Sequence, residues 1–147
     1  MSALNQSGPG PEVKNQLGTV PAASVAGTVN GTGVDRRGFN FLILEAQTGA
    51  TTGTPTSFTM DVKLQHSDVV GSGYTDFQPG GVAIAGAVAQ ITAVSSRKRK
   101  QIDLRGAKAF VRVVNVIAFV GGTSPTLANV ATMQLAGADV LPAQLDD

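Results

Sequence analysis

Apolar and polar residues alternate most cleanly from Ser57 to Gln65, where Phe58, Met60, Val62 and Leu64 are separated by Thr59, Asp61 and Lys63. A period of two belongs to a strand with one buried face and one wet face. Phe39-Asn40-Phe41-Leu42-Ile43-Leu44 and the run from Phe110 to Phe119 are more continuously apolar, which suits strands covered on both sides or lying at a subunit interface. The second run is β-branched and aromatic, against helix. Leu127, Ala131, Met133 and Leu135, with Thr132 and Gln134 between, predict a late strand ahead of the tail from Leu141 to Asp147. Val82 to Val94 is ambiguous, because its alanines favour helix while its alternation defines no face. It is read as strand.

Glycine and proline fall between these runs, at residues 49–55, 70–73, 78–81 and 121–125. Short strands punctuated this often predict an all-β fold, a β-sandwich, in one domain over residues 19–147. Residues 1–18 are polar around Gly8-Pro9-Gly10-Pro11, a composition that nucleates neither helix nor sheet and predicts a flexible, extended N-terminal arm.

Composition narrows the chemistry. The 147 residues are 42% hydrophobic and only 14% charged, against about 25% charged in a typical soluble domain. Without cysteine there is no disulfide, thiolate metal site or cysteine nucleophile, and the single histidine, His66, leaves little room for histidine-based metal or triad chemistry. His66 follows an amphipathic strand and is expected at a strand end near the surface. Asp61, Asp68 and Asp76 have no spacing for shared proton chemistry or a calcium loop. Gly71-Ser72-Gly73 and Gly80-Gly81 lack the Lys-Ser/Thr of a phosphate loop, and there is no G-x-S-x-G elbow. No enzyme activity, catalytic residue, metal or cofactor is expected. With no tryptophan and one tyrosine, Tyr74, a carbohydrate-stacking surface is disfavoured as well. No apolar run reaches the roughly 18 residues of a membrane span, and the first residues lack the basic and apolar regions of a signal peptide. The expectation is a soluble chain with no membrane partner.

Charge is uneven along the chain. The sixteen residues from Arg97 to Arg112 hold seven of the eleven basic residues and one acid, Asp103, and the remainder is net acidic. This predicts a basic zone on a mildly acidic body. A solvated edge, an acidic protein partner and nucleic acid are the three readings. Phe110 is the only aromatic in the stretch, so the interleaving of a base-stacking surface is missing and direct nucleic-acid contact is not expected. Arg97, Lys98, Arg99 and Lys100 are the candidate partner-binding residues.

One short pattern recurs. Val34-Asp35-Arg36-Arg37-Gly38 and Ile102-Asp103-Leu104-Arg105-Gly106 both read aliphatic-Asp-x-Arg-Gly, 68 residues apart. In each, aspartate can bond nearby backbone N–H groups, arginine can pair with it, and glycine permits a positive φ. Arg37 or Arg105 as a ligand clamp is the sharper alternative, but no neighbouring polar group supports it, so two structural corners are expected.

Three stretches together carry a resemblance: Asp35-Arg36-Arg37-Gly38-Phe39 before an apolar strand, Leu64-Gln65-His66-Ser67-Asp68 ending an alternating one, and Gly106-Ala107-Lys108-Ala109-Phe110-Val111-Arg112-Val113. With them, residues 34–142 resemble the head-decoration, or cement, proteins of tailed double-stranded-DNA bacteriophages. The resemblance implies a jelly-roll-like β-sandwich and a homotrimer. It implies a structural virion protein on the outer capsid surface, made in the bacterial host cytoplasm, which binds the major capsid protein and cements neighbouring capsomers. A low-copy tail, collar or fibre-base module of a virion is the alternative. The basic cluster and the long arm depart from the family pattern.

Overall fold

The computed structural model describes residues 13–78 and 86–138. Its strands are β1 (Lys14–Ser24), β2 (Gly27–Asn30), β3 (Val34–Asp35), β4 (Phe39–Thr52), β5 (Ser57–Ser67), β6 (Thr75–Asp76), β7 (Ala89–Ile91), β8 (Arg97–Asp103), β9 (Phe110–Val120) and β10 (Thr126–Ala138). They form two antiparallel sheets. One runs β1-β10-β4-β8; the other centres on β9 and β5, with β2 and β3 against β9 and with β6 and β7 against β5. Counting β2–β3 and β6–β7 as two broken strands leaves eight positions in the interleaved order of a jelly roll. The all-β, jelly-roll-like sandwich expected from the sequence is the fold.

The alternation in β5 does what its pattern demands. Phe58, Met60, Val62 and Leu64 are buried and stand opposite Phe119, Ile117, Asn115 and Val113 of β9. Facing them across the sandwich, Leu42, Leu44 and Ala46 of β4 and Leu127, Ala131, Met133 and Leu135 of β10 complete one continuous core. β9 was expected to be covered on both sides. Val114 is buried, but Arg112 and Val116 are only partly covered and Ala118 is exposed, so one face carries most of the burial. β4 likewise buries alternate residues rather than all of them.

Three other expectations shift. β1 begins at Lys14 and pairs with β10 from Leu135 onward, so residues 14–18 belong to the sheet and not to the arm. An edge strand needs few apolar residues, because its partner supplies the ladder and only Gly18 and Thr19 of β1 are buried. Residues 1–12 lie outside the described residues. β4 runs on through Gly49 to Thr52, where the Ala128 side chain lies over Gly49 and a Cβ there would stand 3.1 Å from it. Of Val82–Val94, residues 82–85 lie outside the described residues and only Ala89–Ile91 pair as strand.

A bulge in β1 around Thr19 shifts its register against β10. There the Ala131 N–H donates to Thr19 Oγ1 (2.9 Å), a side chain replacing a backbone acceptor. Asn129, also buried, donates to the carbonyls of Leu127 (2.9 Å) and Ala22 (3.3 Å) and to Ser24 Oγ (3.1 Å), and accepts from Asn115 Nδ2 (3.2 Å). These contacts join β1, β9 and β10 through the interior. Nearby, the chain leaving β2 passes so close to β1 and β9 that a Cβ on Gly31 would stand 1.8 Å from the Gly18 carbonyl oxygen and 2.7 Å from that of Val113.

The two Asp-x-Arg-Gly segments are matching corners. Asp35 accepts from the Arg37 backbone N–H (3.0 Å) and from its Nε and Nη2 (2.9 and 2.8 Å). Asp103 accepts from the Arg105 backbone N–H (2.9 Å) and from its Nε and Nη2 (3.0 and 2.6 Å). Gly38 and Gly106 both take positive φ, 91° and 92°. Each corner then grips the strand that follows the other. The Arg36 N–H donates to Ala109 O and Arg37 lies over the Phe110 ring, while the Leu104 N–H donates to Asn40 O and Arg105 lies over the Phe41 ring. The arginine side chains are committed to this arrangement, which favours the corner over the ligand clamp.

Two outcomes follow. Gly31→Ala forces backbone apart and should destabilise by about 3 kcal/mol, whereas Gly71→Ala, with open space around it, should stay within about 0.5 kcal/mol of wild type; urea unfolding of both measures the contrast. The hydrogen bonds and charge of Arg37 and Arg105 hold the carboxyls of Asp35 and Asp103 down to about 2 from an ordinary 3.8. Between those values the unfolded chain binds more protons, so this stabilisation is complete above about pH 4 and disappears as pH falls toward 2. Stability of the double variant Asp35→Asn, Asp103→Asn should therefore fall less steeply than wild type over that window. Parallel slopes would deny the corners this role.

Candidate functional site

The cationic candidates of the sequence lie side by side on β8, the outermost strand of its sheet among the described residues. Register fixes how they point. Arg97, Lys98, Arg99 and Lys100 stand opposite Gln47, Ala46, Glu45 and Leu44 of β4. Since paired residues share a face, Lys98 and Lys100 line up with Ala46, Leu44 and the buried Ile102 on the core side, and Arg97 and Arg99 stand on the outer side. All four remain exposed. Arg97 Nε pairs with Glu45 Oε2 at 3.3 Å. Among the described residues, Lys98, Arg99 and Lys100 have no ion-pair partner, and they leave three uncompensated charges along about 7 Å of edge, given a strand's rise per residue.

The edge is firmly seated. Ile102 is buried, Leu104 just beyond it is fully buried, and the Asp103 corner locks the end of the strand. At the other end Thr48 binds the approach to β8: its N–H donates to Ser96 O (2.9 Å), while its Oγ1 donates to Ala93 O (2.7 Å) and accepts from the Ser96 N–H (3.1 Å). On the outer face a shallow groove runs from Arg97 and Arg99 past Glu45 and Ile43 to Thr132, Gln134 and Leu17. Leu17 and Ile43 were not singled out in the sequence; their place beside the arginines depends on β1 and β4 sharing β10.

The rest of the basic stretch goes elsewhere, because the chain crosses from one sheet to the other between β8 and β9. Arg105 belongs to its corner. Lys108 sits 3.9 Å from Asp68. Arg112 lies on β9, donating to Gln65 Oε1 (3.0 and 2.8 Å) and stacking 4.3 Å from the centre of the Tyr74 ring. The basic zone expected from the sequence is thus divided between the two sheets.

His66 lies near the end of β5, against Phe77 with ring centres 5.0 Å apart, and its Nδ1 accepts from the Lys108 N–H at 3.2 Å. Burial, and then the charge of Lys108, lower its pKa, so the neutral ring is favoured there. Asp61 accepts from Gln90 Nε2 (2.7 Å), and Asp76 accepts from Gln65 Nε2 (2.9 Å) and Lys63 Nζ (3.2 Å), which hold the Asp76 carboxyl below its usual range. The Tyr74 hydroxyl donates to Val70 O at 2.6 Å. These side chains tie neighbouring strands and turns together. Among the described residues no group of three or more histidines and carboxylates is placed to hold a metal ion.

What the edge can do is electrostatic. Lysines on an edge strand discourage pairing with uncharged strands and with copies of the same strand, while unpaired cations on a fixed backbone present a salt-sensitive surface to an acidic one.

No protein-family model matches the sequence, and no curated protein matches it. Among solved structures, the chain is similar to the SPBc2 prophage-derived protein YomS, at 10% identity and a TM-score of 0.44 over 85% of this chain and 93% of that one. It is also similar to a chain of Bacillus endospore appendages, described as a family of disulfide-linked pili, at 12% identity and a TM-score of 0.42 over 94% and 100% of the two chains. A third likeness is to a chain of infectious bursal disease virus, Gx strain, at 10% identity and a TM-score of 0.43 over 87% of this chain and 34% of that one. At this distance the likenesses carry no function across, and the functional reading rests on the sequence motifs and on β8.

Proposed function

We propose that the chain is a non-enzymatic structural protein of a phage virion, which docks as a homotrimer on the outer surface of the assembled capsid and cements neighbouring capsomers. The observation that carries this reading is the seated cationic edge at Lys98, Arg99 and Lys100, a fixed set of charges with no partner among the described residues. An acidic region of the major capsid protein is the surface it fits. The motif resemblance supplies the setting, and a sandwich whose other polar side chains mostly tie strands together is a suitable body for a clamp.

The mechanism needs no chemistry. A subunit that binds the assembled lattice but not its separated components stabilises the lattice by mass action, in proportion to the logarithm of free concentration over Kd. Charged contacts add orientation and association rate to that binding and make it sensitive to salt.

Replacing Arg97, Lys98, Arg99 and Lys100 by glutamate should lower binding to capsids at least about tenfold in co-sedimentation while leaving thermal unfolding near wild type. Wild-type binding should weaken with added salt, and salt-independent binding by both forms would remove the proposed surface. Deleting residues 1–12, which leaves β1 whole, should preserve the unfolding transition and lower occupancy on particles; equal occupancy would show that those residues are dispensable for docking. Copy number in purified particles tests the wider reading. A simple fraction of the shell-protein count agrees with decoration, and a handful of copies would favour the tail or collar module instead.

A further inference from the structure

The backbone of β8 offers more than its charges. Bonding across to β4 uses the even-numbered residues: the Thr48 N–H donates to Ser96 O, and the Leu104 N–H donates to Asn40 O. In an antiparallel ladder a residue's N–H and C=O point to the same side, and successive residues alternate. Arg97, Arg99 and Gln101 therefore direct their N–H and C=O groups away from β4, off an edge that has no further strand among the described residues. This is the open half of a ladder, spaced for another strand.

Resting on the docking role proposed above, we infer that β8 receives an extended acidic segment of its partner as an additional strand. The backbone groups of Arg97, Arg99 and Gln101 provide the seat, and the side chains choose the occupant. Lys98 and Lys100 flank the edge on one face and Arg99 on the other, so an incoming strand has cations beside both of its faces. A neutral strand gains the backbone bonds but must crowd the lysines, whereas a strand bearing carboxylates neutralises them. Two copies of β8 brought together would set Arg and Lys against Arg and Lys, and like charges directly opposite are destabilising. The same residues that keep the edge from pairing with itself make it selective for the opposite charge. This mode of recognition takes its affinity from main-chain bonds and its specificity from alternate side chains.

The test uses the full chain and three short labelled peptides: one alternating glutamate and valine, one alternating glutamine and valine, and a glutamate–valine peptide N-methylated at every residue so that it cannot donate to an edge. Glutamate–valine should bind at least about tenfold more tightly than either control, with an affinity that falls with salt. On binding it should slow hydrogen exchange at the amides of Arg97, Arg99 and Gln101, and the four-fold glutamate variant of β8 should not bind it. Equal binding by the N-methylated peptide would overturn strand addition while leaving the charged docking surface standing. Equal binding by glutamine–valine, or unchanged binding by the four-fold variant, would remove both. Failure of every peptide to bind would overturn the inference, as would concentration-dependent pairing of the chain through β8.

Discussion

Each of the two Asp-x-Arg-Gly corners is bonded to the strand that follows the other, and on that reciprocity the placement of the outer strands depends. Two carboxylates, each holding one arginine by its backbone N–H and its guanidinium, fix the turns. The residue after each aspartate then donates across to the neighbouring strand, Arg36 to Ala109 and Leu104 to Asn40. One bond sets β3 against β9, the other sets β8 against β4, and the two strands belong to different sheets. Exposed ion pairs contribute little stability singly; here their weight is geometric, because they decide which residues stand opposite one another along two sheet edges.

The cationic edge follows from this register. Shifting β8 by one residue against β4 would turn Ile102 out of the core and carry Lys98 and Lys100 across to the outer face. The corner at Asp103 and the buried Leu104 prevent that slip at one end, and Thr48 holds the approach at the other. A surface made of solvated side chains is thereby mounted on a strand held at both of its ends. Rigid mounting suits recognition of an extended partner, since the backbone of β8 gives up little conformational freedom on docking.

Sequence periodicity exposed the centre of the fold and hid its margins. β5 was legible because half of its side chains must face the core, and β9 because its β-branched residues leave little alternative. β1 was not, since a strand that borrows its ladder from β10 needs almost no apolar residues and its first residues resemble an arm. β4 outran its expected end because Gly49 sits in a bulge beneath Ala128 and the ladder resumes beyond it at Thr51 and Thr52. Asn115, in the middle of an apolar run, makes sense only beside Asn129, which the fold brings to 3.2 Å. For the candidate site, the charge of residues 97–100 was plain in the sequence. Its division between two faces was not, because facing is a property of register with a strand fifty residues earlier.

The two corners differ at the position after the aspartate. Arg36 reaches the carbonyls of Phe39, Ala107 and Lys108, whereas Leu104 is buried in the core. Both joints share the Asp–Arg bonds, and at this one position the first adds polar bonds where the second adds buried hydrocarbon. Burial of hydrocarbon weakens on cooling, and hydrogen bonds do not share that dependence. The joint that carries β8 therefore leans more on buried hydrocarbon at this position than the joint that carries β3, and that share of its hold is the part that weakens on cooling.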